Sequence, residues 1–196
     1  MTPTVQEAQR HYYGRAAQFP VNATPENTPL GPDEVAFIGE RDSFYMATVT
    51  ETGWPYVQHR GGPVGFLRVR DPQTLAFDDF LGNRQLLSTG NLAGGNDRVA
   101  LFLMDYPQRT RLKIMGHARV LDANDDPALA QKLAPDARLL PKVERVFVID
   151  VVSYDWNCPQ YITPRYTAEE ITNLLVMPLQ ERIRELEAQL ALARRA

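Results

Sequence analysis

Three basic clusters fall near the ends of predicted strands, and their residue types suit an anion. The first is His59–Arg60, followed by Gly61–Gly62–Pro63 in the segment YVQHRGGPVGF. The second is Gly82–Asn83–Arg84–Gln85, at a strand-to-helix junction, and the third is Arg109, Arg111 and Lys113, after the Tyr106–Pro107 turn. A phosphate accepts bidentate hydrogen bonds from guanidinium groups. It also gains from unpaired backbone N–H groups at a helix start, where the macrodipole favours negative charge. Gly82 or Asn83 is placed to cap such a helix, with Arg84 in its first turn, where a cation is unfavourable unless an anion offsets it. Glycines at 61 and 62 would let a flat ligand approach the backbone closely. Each cluster also has a plainer reading. His59 suits a hydrogen-bonded strand position, Gly61–Gly62–Pro63 a tight turn, and Arg111 with Lys113 a solvated strand face. Eighteen of the 21 basic residues are arginine, so no arginine counts by type alone. The clusters make a site only jointly, which requires Arg60, Arg84 and Arg111 to converge.

Other chemistry lacks its spacing. There is no Walker loop, no G-x-G-x-x-G opening a helix and no G-x-S-x-G elbow. His11, His59 and His117 lack metal-ligand spacing, so no metal is expected. Asp78 and Asp79 are adjacent on a predicted strand and point to opposite faces, so one of them, not both, faces a ligand. Asp125–Asp126, before Pro127, read as loop or cap residues. Cys158 is the sole cysteine, which excludes an internal disulfide and fits a reducing compartment. It has no activating base nearby in sequence and does not read as a nucleophile. A net charge of −3 and a pI near 5.6 give no general attraction to nucleic acid or anionic membrane. The first thirty residues lack an apolar signal region, and the uncharged run Val99–Met104 is far too short to span a bilayer. The expectation is a cytoplasmic protein with neither nucleic acid nor membrane as partner.

The elements that must position these residues are mostly strands. A chain of 196 residues suits one domain with a sizeable core. Residues 1–32 read as an arm: a short helix reaching Phe19, then the extended PVNATPENTPLGP. A helix is expected from Asp33 to Arg41. FYMATVTETGWPYVQHR predicts two strands turning at Glu51–Trp54, and FLRVRDPQTLAFDDF a hairpin turning at Asp71–Pro72. NRQLLSTGNLAGGN carries helical spacing that breaks at Gly90. DRVALFLMDY reads as a core strand, and TRLKIMGHARVLD as a strand with one wet face. DPALAQKLAP is a short helix, and KVERVFVIDVVSYDW, the most β-branched run, a central strand. Together these argue for a mainly β chain with peripheral helices, built as an antiparallel barrel.

The tail differs. Thr167 with Glu170 forms a capping-box pattern. Leu179, Ile183, Leu186, Leu190 and Ala193 then follow four-three spacing. Pro178 either interrupts this helix or starts its second half. The stripe is a packing surface, for the chain's own body or for a second subunit.

Four segments in order, HRGGP, GNRQ, LFLMDYP and NCPQYI, resemble the pyridoxamine 5′-phosphate oxidase-like, FMN-binding split-barrel family, and within it the predicted flavin-nucleotide-binding proteins. The resemblance covers residues 33–166, leaving 167–196 as a long C-terminal helix. It implies a homodimer with FMN at the subunit interface. It also implies a flavin-dependent oxidoreductase, with NAD(P)H or a small molecule as substrate, or else a flavin-holding carrier or sensor. The cofactor-binding positions it implies are Arg84, Asn83 and Gln85 at the junction, and His59, Arg60 and Gly61 on the earlier strand. To these it adds Asp78 and Asp79 at a strand end, Arg111 and Lys113, and Trp156 and Gln160 near the C-terminal segment. Gln85 replaces the family's lysine. DWNCPQYITPRY departs from the arginine- and histidine-bearing end of the oxidases proper, which argues against pyridoxamine phosphate as substrate.

Overall fold

The computed structural model describes residues 2–15, 28–82, 84–134, 136–156 and 159–194. It divides into two compact units, Met1–Met104 with Arg111–Asn157, and Asp105–Thr110 with Cys158–Ala196.

The first unit is organised by one seven-stranded sheet. Its strands are β1 (Ser43–Val49), β2 (Pro55–Gly61), β3 (Arg68–Asp71), β4 (Thr74–Phe80), β5 (Arg98–Asp105), β6 (Thr110–Asp122) and β7 (Val143–Trp156), in the order β2-β1-β5-β6-β7-β4-β3. The hairpins β1–β2 and β3–β4 turn where Thr52–Gly53 and Asp71–Pro72 supply turn chemistry. Alternation explains the core. Phe44 and Met46 of β1, Leu101 and Leu103 of β5, and Leu112 and Ile114 of β6 are buried on one face, and their neighbours stand on the other. β4 and β7 abandon alternation: Leu75–Asp78 and Val146–Ile149 are buried without a break. The reason is helix α4 (Pro127–Leu133), whose Leu129 and Leu133 pack with Ala76, Val146 and Val148 on the second face. On the first face Phe44, Phe66, Phe77 and Phe147 form a stacked and edge-on aromatic group.

Gly116 sits at a register shift against β7, where a Cβ would come within 2.5 Å of the Asp150 carbonyl oxygen. Helix α1 (Pro3–Tyr13) stops at Gly14, whose left-handed φ of 70° closes it. It therefore ends short of the expected Phe19, and residues 16–27 lie outside the described residues. Helix α2 (Pro32–Gly39) starts with Pro32 in its first turn and the Glu34 carboxylate accepting from the Gly31 N–H at 2.9 Å.

In the second unit the Thr167–Glu170 capping box forms as the spacing predicts, opening α5 (Ala168–Ile171). A π-helical turn at Thr172–Val176 follows, then α6 (Met177–Ala193). Pro178 explains the π turn. It has no N–H to donate, and its ring crowds the carbonyl four residues back, so the helix widens before it and continues after it. Among the described residues no helix is long and apolar enough to cross a membrane. Nor do three His, Cys, Asp or Glu side chains gather there as a metal site.

Candidate functional site

Strand alternation separates the two residues of His59–Arg60. Arg60 shares its face with Tyr56 and Gln58, and all three line a polar pocket of about 220 Å³. Its guanidinium donates from Nη1 to Oδ1 of Asp79 on β4. Arg145 of β7 donates from Nε to the other Asp79 oxygen at 2.9 Å. Asp79 and Arg145 are direct cross-strand partners, so β4–β7 register delivers this second arginine. One carboxylate is thus shared by two guanidinium groups.

The Arg60 guanidinium stands 4.8 Å from the Phe147 ring centre and 5.7 Å from that of Phe77, so the aromatic core is the floor beneath it. Burial pulls its pKa below the usual arginine value, and the Asp79 charge only partly opposes this. Its Nε is buried with no hydrogen-bond partner. Burial also works against charge on Arg145, but bonds to Asp79 and Glu144 outweigh it and hold that pKa above the ordinary value.

The remaining wall comes from the junction after β4. Gly82, Arg84, Gln85 and Ser88 line the pocket, and the Ser88 hydroxyl donates to Gln58 at 2.7 Å. Helix α3 (Leu87–Ala93) begins later than the spacing predicts, with Leu86 rather than Gly82 or Asn83 at its N-cap, and it runs on through Gly90. The delay has a backbone cause: Arg84 and Leu86 both take left-handed φ values, 61° and 55°. Each costs a non-glycine residue about 1–2 kcal/mol, a strain commonly stored at binding sites. Arg84 is therefore a loop residue rather than a first-turn one, and it makes no ion pair or hydrogen bond among the described residues. Asn83 lies outside the described residues.

The two halves of the HRGGP segment have separate roles. Arg60 serves the pocket, whereas Gly61 and Gly62 do not line it. Gly62 makes room for the core: a Cβ there would lie 2.7 Å from Cγ of Phe66. Its N–H donates to the Asp42 carbonyl, and Phe66 N–H closes the turn onto Pro63.

His59, Arg111 and Lys113 occupy the sheet face away from the core. His59 meets Tyr45 edge-on at 5.6 Å, and Arg111 lies 5.6 Å from the Phe102 ring centre with a buried, unpartnered Nε. Lys113 pairs with Asp155 at 2.6 Å. The expected convergence of Arg60, Arg84 and Arg111 is thus corrected within one protomer: the first two share the pocket, and Arg111 faces the other way. Between Lys113–Asp155 and the His117–Asp97 pair, the same outward face exposes Tyr45, Val57 and Met115 around Ala47 and Ala100.

Asp78 and Asp79 diverge as adjacent strand residues must. Asp78 stands beside Val146 on the face covered by α4, only 3% exposed, with neither carboxylate oxygen hydrogen-bonded. Burial pushes its pKa up to about 6, with Arg68 pulling weakly the other way. Trp156 is tied into the fold: its Nε1 donates to Glu34 Oε1, and its ring meets Phe37 edge-on at 4.9 Å. Burial would raise the Glu34 pKa, yet the bonds from Trp156 and Gly31 hold it below the usual carboxylate range. Glu34→Ala should therefore cost about 1.5–3 kcal/mol in urea unfolding at pH 7. That penalty should shrink as acid protonates the native carboxyl, because a lowered pKa contributes stability that is lost as pH falls through it. Gln160 is an exposed residue of the second unit, and Cys158 lies outside the described residues.

Arg145, Tyr56, Gln58 and Ser88 line the pocket without having been singled out by sequence. The one available signal was Arg145, a cation inside the most β-branched run of the chain.

Residues 30–149 match the family model described as pyridoxamine 5′-phosphate oxidase. No curated protein matches the chain. Among solved structures, a putative pyridoxamine 5′-phosphate oxidase from Lactobacillus delbrueckii is 23% identical with a TM-score of 0.50, covering 65% of this chain and 94% of that one. A protein related to general stress protein 26, from Clostridium acetobutylicum, is 13% identical with a TM-score of 0.50, covering 71% and 94%. A HupZ variant from Group A Streptococcus is 14% identical with a TM-score of 0.50, covering 65% and 99%. At these identities the likeness is one of fold.

Proposed function

The chain belongs to the pyridoxamine 5′-phosphate oxidase family, and we propose that it binds FMN through the pocket of Arg60, Arg84 and Arg145 and acts as a flavin-dependent oxidoreductase. The observation that carries this reading is the surplus of cation: three guanidinium groups and one carboxylate line a single pocket. Two of those cations have donors to spare: Arg60 gives only Nη1 to Asp79, and the whole Arg84 side chain is unspent among the described residues. A phosphate dianion fits such a wall, because it accepts several charge-assisted bonds at once. Thr89 and Gln85 add neutral polar side chains along the same wall.

Asp79 positions the cradle. By holding Arg60 and Arg145 from opposite oxygens, it fixes both forks before any ligand arrives. Arg84, on its strained loop, supplies the adaptable arm. When bound, the flavin supplies the hydride and electron chemistry, and the protein contributes position and electrostatics. A volume of about 220 Å³ is below the roughly 300–1,000 Å³ of sites that enclose a whole ligand. That favours a headgroup seat, with the ring lying outside it against a second copy of the chain. The outward apolar strip around Tyr45, Val57 and Met115 is the surface proposed for that copy. On it Arg111, whose guanidinium lies over Phe102, suits the electron-rich edge of a reduced flavin, whose negative charge a cation stabilises.

The test is direct. Purified protein should show a flavin spectrum, alone or after adding FMN, and heat should release a molecule of FMN mass. Anaerobic mixing with NADH or NADPH should bleach it at a catalytic rate; bound flavin that never bleaches with any donor would favour a carrier. Arg84→Ala should weaken FMN binding by about 1.5–3 kcal/mol, roughly 10- to 150-fold, without lowering the unfolding midpoint. Unchanged affinity would remove Arg84 from the site.

A further inference from the structure

Every residue from Ile171 to Arg194 is exposed, yet helix α6 carries a continuous apolar seam. The seam repeats every seven residues. Ile183 and Leu190 occupy one heptad position, conventionally a, in step with Val176 at the end of the preceding π turn, and Leu179, Leu186 and Ala193 the other, d. We propose that the tails of two chains pair along this seam as a parallel, in-register, two-stranded coiled coil.

Two independent features choose the occupant. The first is side-chain shape. β-branched Ile183 at a, with Val176 in step before it and Leu179 and Leu186 at d, is the combination that favours two parallel strands over three or four. The second is charge. In a parallel pair, position g of one helix faces position e of the next heptad on its partner. Here those positions are Arg182 and Glu187, so each partner offers a cation to the other's carboxylate. In the single chain Arg182 instead makes an exposed contact with Glu185 at 2.8 Å, which it can exchange without loss of a buried bond. A seam of this length is marginal by itself in water. It would act by raising the effective concentration of two chains already in contact elsewhere. The proposal does not depend on flavin, and its failure would leave the cofactor reading untouched.

The test uses the full chain with Cys158→Ser, so that each introduced thiol is alone. Leu179→Cys and Leu190→Cys, at the two kinds of seam position, should each form a disulfide-linked dimer in a glutathione redox buffer. Glu181→Cys, on the outer face, should link about tenfold more slowly. Adding Arg182→Glu to Leu190→Cys should slow linkage about fivefold, and adding Glu187→Arg as well should restore it. Linkage only between chains carrying Leu179→Cys and chains carrying Leu190→Cys would mean an antiparallel pair, in which position d faces position a, and would overturn the proposal. Seam variants that link no faster than Glu181→Cys would overturn it too, and would mean that the helix packs on its own chain.

Discussion

Arg60→Leu is expected to abolish measurable FMN binding and to destabilise the protein by about 3–4 kcal/mol. Both effects come from one geometry. Arg60 and Asp79 are each only 12% exposed at the side chain, and the guanidinium lies over two aromatic rings of the core. Removing one partner of a buried pair leaves the other charge desolvated and undercompensated, which costs about 3–5 kcal/mol in comparable sites. Arg145 stays bonded to Asp79 and softens that loss. The affinity loss should exceed 100-fold, about 3 kcal/mol, because a charge-assisted fork to the phosphate goes with it. Arg60→Lys should recover part of the stability and less of the affinity, since an ammonium cannot serve Asp79 and a phosphate with one planar fork. In the double variant Arg60→Leu/Asp79→Leu most of the stability should return while FMN binding stays lost. Urea denaturation and flavin fluorescence titration read the two effects separately. An Arg60→Leu protein that binds FMN normally would remove Arg60 from the headgroup seat.

The second large effect concerns Asp78, which stabilises neither pocket nor core at neutral pH. Its carboxyl is buried against apolar neighbours with no hydrogen bond to either oxygen, and its pKa is raised to about 6. A group whose native pKa lies above the unfolded one contributes stability at low pH that is lost as pH rises. Here the window runs from the ordinary aspartate value of 3.8 to about 6. At about 1.4 kcal/mol per unit, close to 3 kcal/mol is at stake. Asp78→Asn removes the titration but keeps the shape. The unfolding free energy of the variant minus that of the parent should therefore grow by about 2.5 kcal/mol between pH 4 and pH 7.5. The buried amide adds a constant cost that does not alter this slope. A difference that stays flat across the window would show that Asp78 is solvated or paired.

The two carboxylates also mark where sequence reading stops. That Asp78 and Asp79 diverge follows from the two-residue period of any strand. Which of them meets arginine does not follow, because α4 covers one face of β4 and the Arg60 pocket opens on the other.

The strands, the hairpin turns at 51–54 and 71–72 and the capping box at Thr167 were legible because each depends on neighbours within a few residues. Alternating burial, turn chemistry and caps are local physics, and local physics is written in order along the chain. The family resemblance was legible for the same reason, its four segments being short and ordered. The cradle is not local. Arg145 reaches Asp79 across 66 residues through strand register, and Arg60 reaches it across 19 through the fold of the sheet. His59 and Arg111 read as members of the same cluster, yet pleating turns them to the opposite face. Sequence therefore determined which charges the chain possesses and which elements carry them. Tertiary structure alone decided which charges meet, because side-chain direction depends on register and on what covers each face of the sheet.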